Sequence, residues 1–242
     1  MDAVTVFVGF DPRESAAYHV FCQSVLDTSS QLVQFIPLHK PMLENFDGQR
    51  DGTNAFIFSR YLVPHLMHYK GWAIFVDGDM VCVHDIANLW ALRQDEYAVQ
   101  VVKHDYRTRH PRKYIGTKLE NDNVDYPRKN WSSVMIWNCG HPSNRLLNPE
   151  FVREASGSFL HRFEWLKDDE IGELPSGWNH LVGEYSHGPA SLLHFTLGVP
   201  GIHHYRDVSG SWRWHSALVA SLQCAGEIPS EMVNRSEERV GQ

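Results

Sequence analysis

Apolar residues recur along this chain in short runs separated by amphipathic stretches, the pattern of an α/β fold. Residues 4–9 read as a first strand, after which Ala17, Val20, Phe21 and Val25 share one helical stripe. Asp11 is placed to cap that helix, with Pro12 in its first position and Glu14 closing a capping box. A second strand is expected over residues 32–38, followed by a polar stretch with little pattern to residue 54. Residues 56–69 read as a helix with a broad apolar face, in which Pro64 implies a kink or a late start. Lys70-Gly71 suits its end.

Ala73-Ile74-Phe75-Val76 then reads as a buried parallel strand, apolar on both faces, running into Asp77-Gly78-Asp79. Two-residue periodicity sends both aspartates to the same side of the chain at the strand's end. Gly78 leaves room there for a ligand to approach the backbone. Two adjacent carboxylates repel, and a hard divalent cation such as Mg or Mn between them removes that penalty. Open α/β sheets also bind ligands beyond the carboxyl ends of their strands. A plain Asp-Gly turn is the competing explanation.

A short helix is expected over residues 84–91, strands over 97–103 and 133–137, and helices over 150–155 and 159–166. Asp168-Asp169-Glu170 precedes Trp178-Asn179, equipment suited to a sugar site, although acids favoured by a helix N-terminus explain the triplet equally well. Residues 191–198 read as a short buried strand in which His194 stands near the end, where a third metal ligand could arise. A last helix is expected over residues 211–225, and residues 229–242 form a polar tail beyond a domain spanning 1–228.

Between residues 103 and 130 the pattern breaks. Eight of the chain's 22 lysines and arginines fall in this stretch, an excess that reads as an exposed insert or a mobile flap holding an anionic ligand. The chain as a whole carries a formal charge of −7, which argues against nucleic acid as a partner. Its 242 residues, 43% hydrophobic, suffice for one large α/β domain. The four cysteines are far apart and form no C-x-x-C pair, so free thiols in a reducing cytoplasm are expected. The sequence enters its first strand without a signal-peptide pattern, and no apolar run reaches membrane-span length.

Taken together, these pieces resemble the GT-A glycosyltransferases of family 8 and related small bacterial and viral transferases. The resemblance rests on Gly9-Phe10-Asp11, Ser59-Arg60-Tyr61-Leu62-Val63-Pro64, Asp77-Gly78-Asp79, Asp168-Asp169-Glu170-Ile171, Trp178-Asn179 and His194-Phe195-Thr196 followed by Gly198. It implies a Rossmann-like single domain with a mixed, mostly parallel sheet flanked by helices. It also implies a nucleotide-sugar donor, a UDP-sugar in particular, and a hydroxyl acceptor such as a glycan. Asp77, Asp79 and His194 would hold Mn or Mg. Phe10 and Asp11 would meet the base, and Arg60, Asp77, Gly78 and Gly198 would line the donor site. Asp168 and Asp169 would face the reacting carbon, and Trp178 and Asn179 the acceptor.

Two departures from the family pattern stand out. The lysine that follows the family's histidine segment is replaced here by Val199-Pro200-Gly201, so Lys129 or an arginine of the insert becomes the candidate for the diphosphate. The family's Asp-Gln-Asp is Asp168-Asp169-Glu170, which leaves open an inverting reaction with Asp168 or Asp169 as base beside the retaining one. A sugar-phosphate nucleotidyltransferase would want a glycine-rich basic first turn, which Gly9-Phe10-Asp11-Pro12 does not provide. A non-catalytic nucleotide-sugar binding module would not need the distant third ligand. A zinc hydrolase built on His180, His187 and His194 is disfavoured by the glycines and proline between them.

Overall fold

The computed structural model describes residues 3–39, 56–186 and 188–223. The expected polar tail at 229–242, Cys224, and most of the patternless stretch before residue 54 lie outside them. The strands, in chain order, are β1 (Val4–Gly9), β2 (Val33–Leu38), β3 (Trp72–Val76), β4 (Met80–Cys82), β5 (Val99–Val101), β6 (Arg112–Lys113), β7 (Asn121–Asp122), β8 (Val134–Asn138), β9 (Ile171–Glu173), β10 (His180–Leu181) and β11 (Leu192–His194). The helices are α1 (Ser15–Thr28), α2 (Val63–Leu66), α3 (Ile86–Trp90), α4 (Pro149–Glu154), α5 (Gly157–His161) and α6 (Ser211–Ser221).

Six strands form a mixed sheet in the order β2-β1-β3-β8-β5-β9, with β8 alone running against its neighbours. The central strands divide their side chains between two apolar layers. Phe7, Ala73, Phe75, Met135 and Trp137 face one, while Val6, Val8, Ile74, Val76, Val134 and Ile136 face the other. Burial on both faces is why these strands read as continuous apolar runs. The parallel strands end at one edge, and β3 delivers Asp77 there.

A second, smaller sheet, β10-β11-β4, completes that edge. β4 runs antiparallel to β11 with Met80 opposite His194, and the Phe195 amide donates to the Asp79 carbonyl at 3.0 Å. This register carries the histidine across more than a hundred residues of sequence to the aspartate pair.

Several local expectations need correction. Asp11 does cap the first turn, accepting from the Arg13 amide at 2.9 Å, but Glu14 makes no capping hydrogen bond. Residues 56–69 hold a 3-10 turn at Ser59–Leu62 and then only a short α2, with Pro64 in its first turn. The helix expected to reach residue 166 stops at His161, because Phe163 takes φ +54° while burying its ring completely.

The insert is docked rather than loose. Its Tyr114 amide donates to Leu197 O at 2.7 Å, and the Ile115 amide to the Tyr205 hydroxyl at 3.1 Å. Buried Glu184 accepts from Thr108 Oγ1 and lies 3.5 Å from Asn123 Nδ2, while its carbonyl takes Arg109 Nη2 at 3.1 Å. Cys22, Cys82 and Cys139 are free thiols, the last two buried. Among the described residues no helix is long and apolar enough to cross a membrane.

Candidate active site

Asp77 and Asp79 leave β3 on the same side, as two-residue periodicity requires, and His194 arrives from β11. One ligand atom from each of the three lies within 4.8 Å of the others, and all three residues are buried. Arg60 Nη1 stands 3.0 Å from Asp77 Oδ1 and donates to Ser132 O at 2.9 Å. The guanidinium also lies over the rings of Phe56 and Phe75, at 5.3 and 5.1 Å from their centroids. These contacts explain how a cation fits among apolar neighbours.

His194 is held in one tautomer. Asn179 Nδ2 donates to Asn130 O at 3.0 Å, which turns Asn179 Oδ1 to His194 Nδ1 at 2.8 Å. Nδ1 therefore carries the proton, and Nε2 faces Asp79 Oδ1 at 3.3 Å. A lone pair set against a carboxylate calls for a proton or a cation between them. The Oδ1 atoms of Asp77 and Asp79 are both buried without a hydrogen-bond partner among the described residues. Two hard oxygens, one of them ion-paired with Arg60, converge here with an imidazole nitrogen, a set that fits a divalent ion such as Mn²⁺ or Mg²⁺.

The charges around this centre are strongly perturbed. Burial pushes the Asp77 carboxyl above the usual range in spite of the Arg60 guanidinium. Burial acts on Asp79 too, but the neighbouring His194 imidazole, with help from Lys113, brings it below its ordinary value. A cavity of about 270 Å³ opens over the three, walled in part by Arg60, Lys113, Tyr126, Lys129 and His161. Burial, aided by the charges of Arg60 and Lys113, pushes the His161 imidazole down to about 3, so the ring is neutral. Its Nδ1 lies 2.9 Å from the Tyr61 hydroxyl and 2.8 Å from Ser132 Oγ. A narrower groove runs from Asp79 past Gly78 to Gly9, Asp11, Glu14 and Tyr18 at the β1–α1 turn.

No protein-family model matches the sequence. Protein CDI of Arabidopsis thaliana is 41% identical over 221 residues, covering 86% of this chain and 83% of that protein. The chain belongs to the Protein CDI family. Solved structures give this CDI-family chain its fold type. WbbM, a bifunctional glycosyltransferase, superposes with a TM-score of 0.63 at 13% identity over 96% of the chain. GlyE of Streptococcus pneumoniae gives 0.58 at 12% over 97%, and the galactosyltransferase LgtC, solved with donor and acceptor sugar analogs, 0.54 at 11% over 96%. The chain spans about half the length of WbbM (51%), 63% of GlyE and all of LgtC (100%). These likenesses establish the GT-A glycosyltransferase fold.

Within this CDI-family chain the structure gathers Arg60, Asp77, Asp79, Lys129 and His194 at one cavity. Asp11 and Gly78 lie in the adjoining groove, whereas Phe10 makes edge contacts with Tyr18 and His39, at 5.5 and 5.0 Å between centroids. Gly78 is needed for packing more than for ligand access, because a Cβ there would stand 2.4 Å from Gly9 O. Gly198 combines φ +151° with a Cβ position 2.4 Å from the Tyr205 ring.

Four expected residues fall elsewhere. Trp178 is 6% exposed and belongs to the apolar layer containing Ile74 and Val76, so it offers no face to a sugar. Asn179 is wholly buried and positions His194 instead of an acceptor. Asp168 and Asp169 are exposed on a 3-10 turn before β9, and neither lines the cavity. Sequence reasoning missed Lys113, His161 and Glu14 as members of the site. Glu14 carried a signal, an acid beside the first βα turn, but it pointed to helix capping. Lys113 was only one of eight cations, with nothing to single it out.

Proposed function

We propose that this chain is a metal-dependent, retaining glycosyltransferase that moves a sugar from a nucleotide-sugar donor, a UDP-sugar in particular, to a hydroxyl acceptor such as a glycan. The observation that carries this reading is the buried Asp77–Asp79–His194 centre, with two carboxylate oxygens that accept no hydrogen bond, lining a cation-walled cavity in a GT-A fold. Asp77, Asp79 and His194 Nε2 would hold Mn²⁺ or Mg²⁺. Bound there, the ion would act as a Lewis acid toward the diphosphate. Asn179 fixes the imidazole that completes this centre, and Arg60 steadies Asp77 through its 3.0 Å ion pair to Oδ1. The nucleoside would lie toward the β1–α1 turn at Phe10 and Asp11, as the family resemblance implies.

Retention is supported by the acids around the cavity. Apart from Asp77 and Asp79, the carboxylate on its wall is Asp122, which is 74% exposed and lies 2.9 Å from Arg112. With no other carboxylate on that wall among the described residues, the departing phosphate is the natural acceptor of the hydroxyl proton.

A panel of nucleotide sugars with Mn²⁺ tests the reading through release of nucleoside diphosphate. Wild-type protein should hydrolyse at least one donor slowly. EDTA should stop the reaction, and Asp79→Ala should slow it by roughly 10²–10³-fold or more. Pyrophosphate made from a nucleoside triphosphate and a sugar phosphate would indicate a nucleotidyltransferase instead.

A further inference from the structure

Three cations border the cavity, and they differ in what already occupies them. Arg60 faces Asp77 at 3.0 Å and gives a hydrogen bond to Ser132 O. Lys129 Nζ donates to Asn123 Oδ1 at 2.8 Å and lies 3.3 Å from Asp125. Lys113 Nζ has neither an ion pair nor a hydrogen bond among the described residues, and its one close polarisable neighbour is the ring of Tyr114, 5.6 Å away. Its stem is half-buried, and burial pulls its pKa down while Asp79 and Asp77 pull it back up. An unpaired ammonium on the cavity wall gains from any anion placed between it and the aspartates.

The placement of Lys113 is fixed by packing. Its strand pairs with β7 through Lys113 opposite Asn121, and the next residue, Tyr114, is 2% exposed. The Tyr114 amide bonds Leu197 O, three residues beyond His194. The ammonium is thus suspended from the insert over the end of β11, where residues 195–201 contain no cation of their own.

We propose that Lys113 is the residue that meets the donor's diphosphate and stabilises it as it leaves. This inference rests on the glycosyltransferase reading and adds to it the source of the leaving-group charge. In the transfer, the bond between the sugar's anomeric carbon and the phosphate oxygen breaks, and its electron pair stays on that oxygen. The acceptor oxygen bonds to the anomeric carbon, and the acceptor's proton passes to the diphosphate. Lys113 keeps its own proton throughout and lies against the oxygen on which charge builds. The insert is in this respect part of the catalytic machinery.

Calorimetry with Mn²⁺ and UDP, GDP, ADP or CDP, each beside its monophosphate, tests this without relying on turnover. Lys113→Met should weaken the best diphosphate by roughly 10–100-fold while changing its monophosphate by less than about threefold. Lys113→Arg should restore most of the loss, and the melting temperatures of both variants should match wild type. Unchanged diphosphate affinity in Lys113→Met would overturn the inference. So would equal losses for diphosphate and monophosphate, which mark a structural role. If wild-type protein binds none of the four diphosphates, the donor reading fails first and the role of Lys113 falls with it.

Discussion

Two acidic clusters look alike on paper and behave oppositely in the fold. Asp77-Gly78-Asp79 and Asp168-Asp169-Glu170 each put carboxylates together beside a strand. The first pair is 7% and 8% exposed, has oxygens without hydrogen-bond partners, and faces an arginine and a histidine across distances of 3.0 and 3.3 Å. In the second, the Asp168 side chain is 87% exposed and is paired with Arg128 at 2.5 Å. Its neighbour Glu170 is satisfied by the Ser143 hydroxyl and then the Lys167 amide, which hold its carboxyl below the ordinary value. A carboxylate becomes reactive equipment where burial is left uncompensated, and remains a surface group where water and caps satisfy it.

The contrast is broken most directly at Asn179, which serves the buried pair alone. Without its carbonyl, His194 loses the contact that fixes both ring orientation and tautomer. Asn179→Ala should therefore weaken Mn²⁺ binding by about 10–100-fold, measured by electron paramagnetic resonance of free Mn²⁺. An unchanged affinity would mean that His194 is positioned by β11 packing alone, or is not a ligand.

Why one cluster was legible and the other misleading comes down to range. The strand before Asp77 shows its burial in four consecutive apolar residues, so the direction of both aspartates follows from local geometry. His194 could be suspected from its strand-end position, yet its approach to Asp79 depends on the β4–β11 register. Trp178 and Asn179 read as sugar-site equipment, yet one packs in the core and the other positions His194, because a sequence does not say whether an aromatic faces a ligand or a core. The docking of the insert depends on Tyr114 reaching Leu197 across more than eighty residues, and no local pattern encodes that. Phe163 is similar: its buried ring requires a left-handed backbone that ends α5 early.

A third acid sharpens the comparison through pH. Burial, then the charges of Asp79 and Asp11, push the Glu14 carboxyl from 4.5 up to about 8. The folded protein thus retains a proton between those values that the unfolded chain releases. Stability should fall as pH rises through this window, with no contribution from Glu14 below it and the full penalty above it. Glu14→Gln, melted in EDTA, should flatten that slope and raise the melting temperature at pH 8 relative to pH 5. An identical pH profile in the variant would show that Glu14 ionises freely and belongs with the surface acids. The direction is opposite to that for Glu170, whose lowered value favours the folded state as pH rises.

The smallest effect is expected at the exposed cluster, and it is informative for that reason. Asp168 loses one solvent-accessible ion pair when changed to Asn, worth about 0–1 kcal/mol at most. If the acids of this turn take no part in proton transfer, Asp168→Asn and Asp169→Asn should each keep the transfer rate within about threefold of wild type. Should either lose a hundredfold or more, within the range about 10²–10⁴ that general base catalysis supplies, the base would lie on this turn. The turn would then have to close over the cavity with substrate bound, and the product would carry inverted stereochemistry. Determining the anomeric configuration of the product by NMR alongside the two rates separates the cases: retention with near-normal rates leaves the buried cluster as the one that acts.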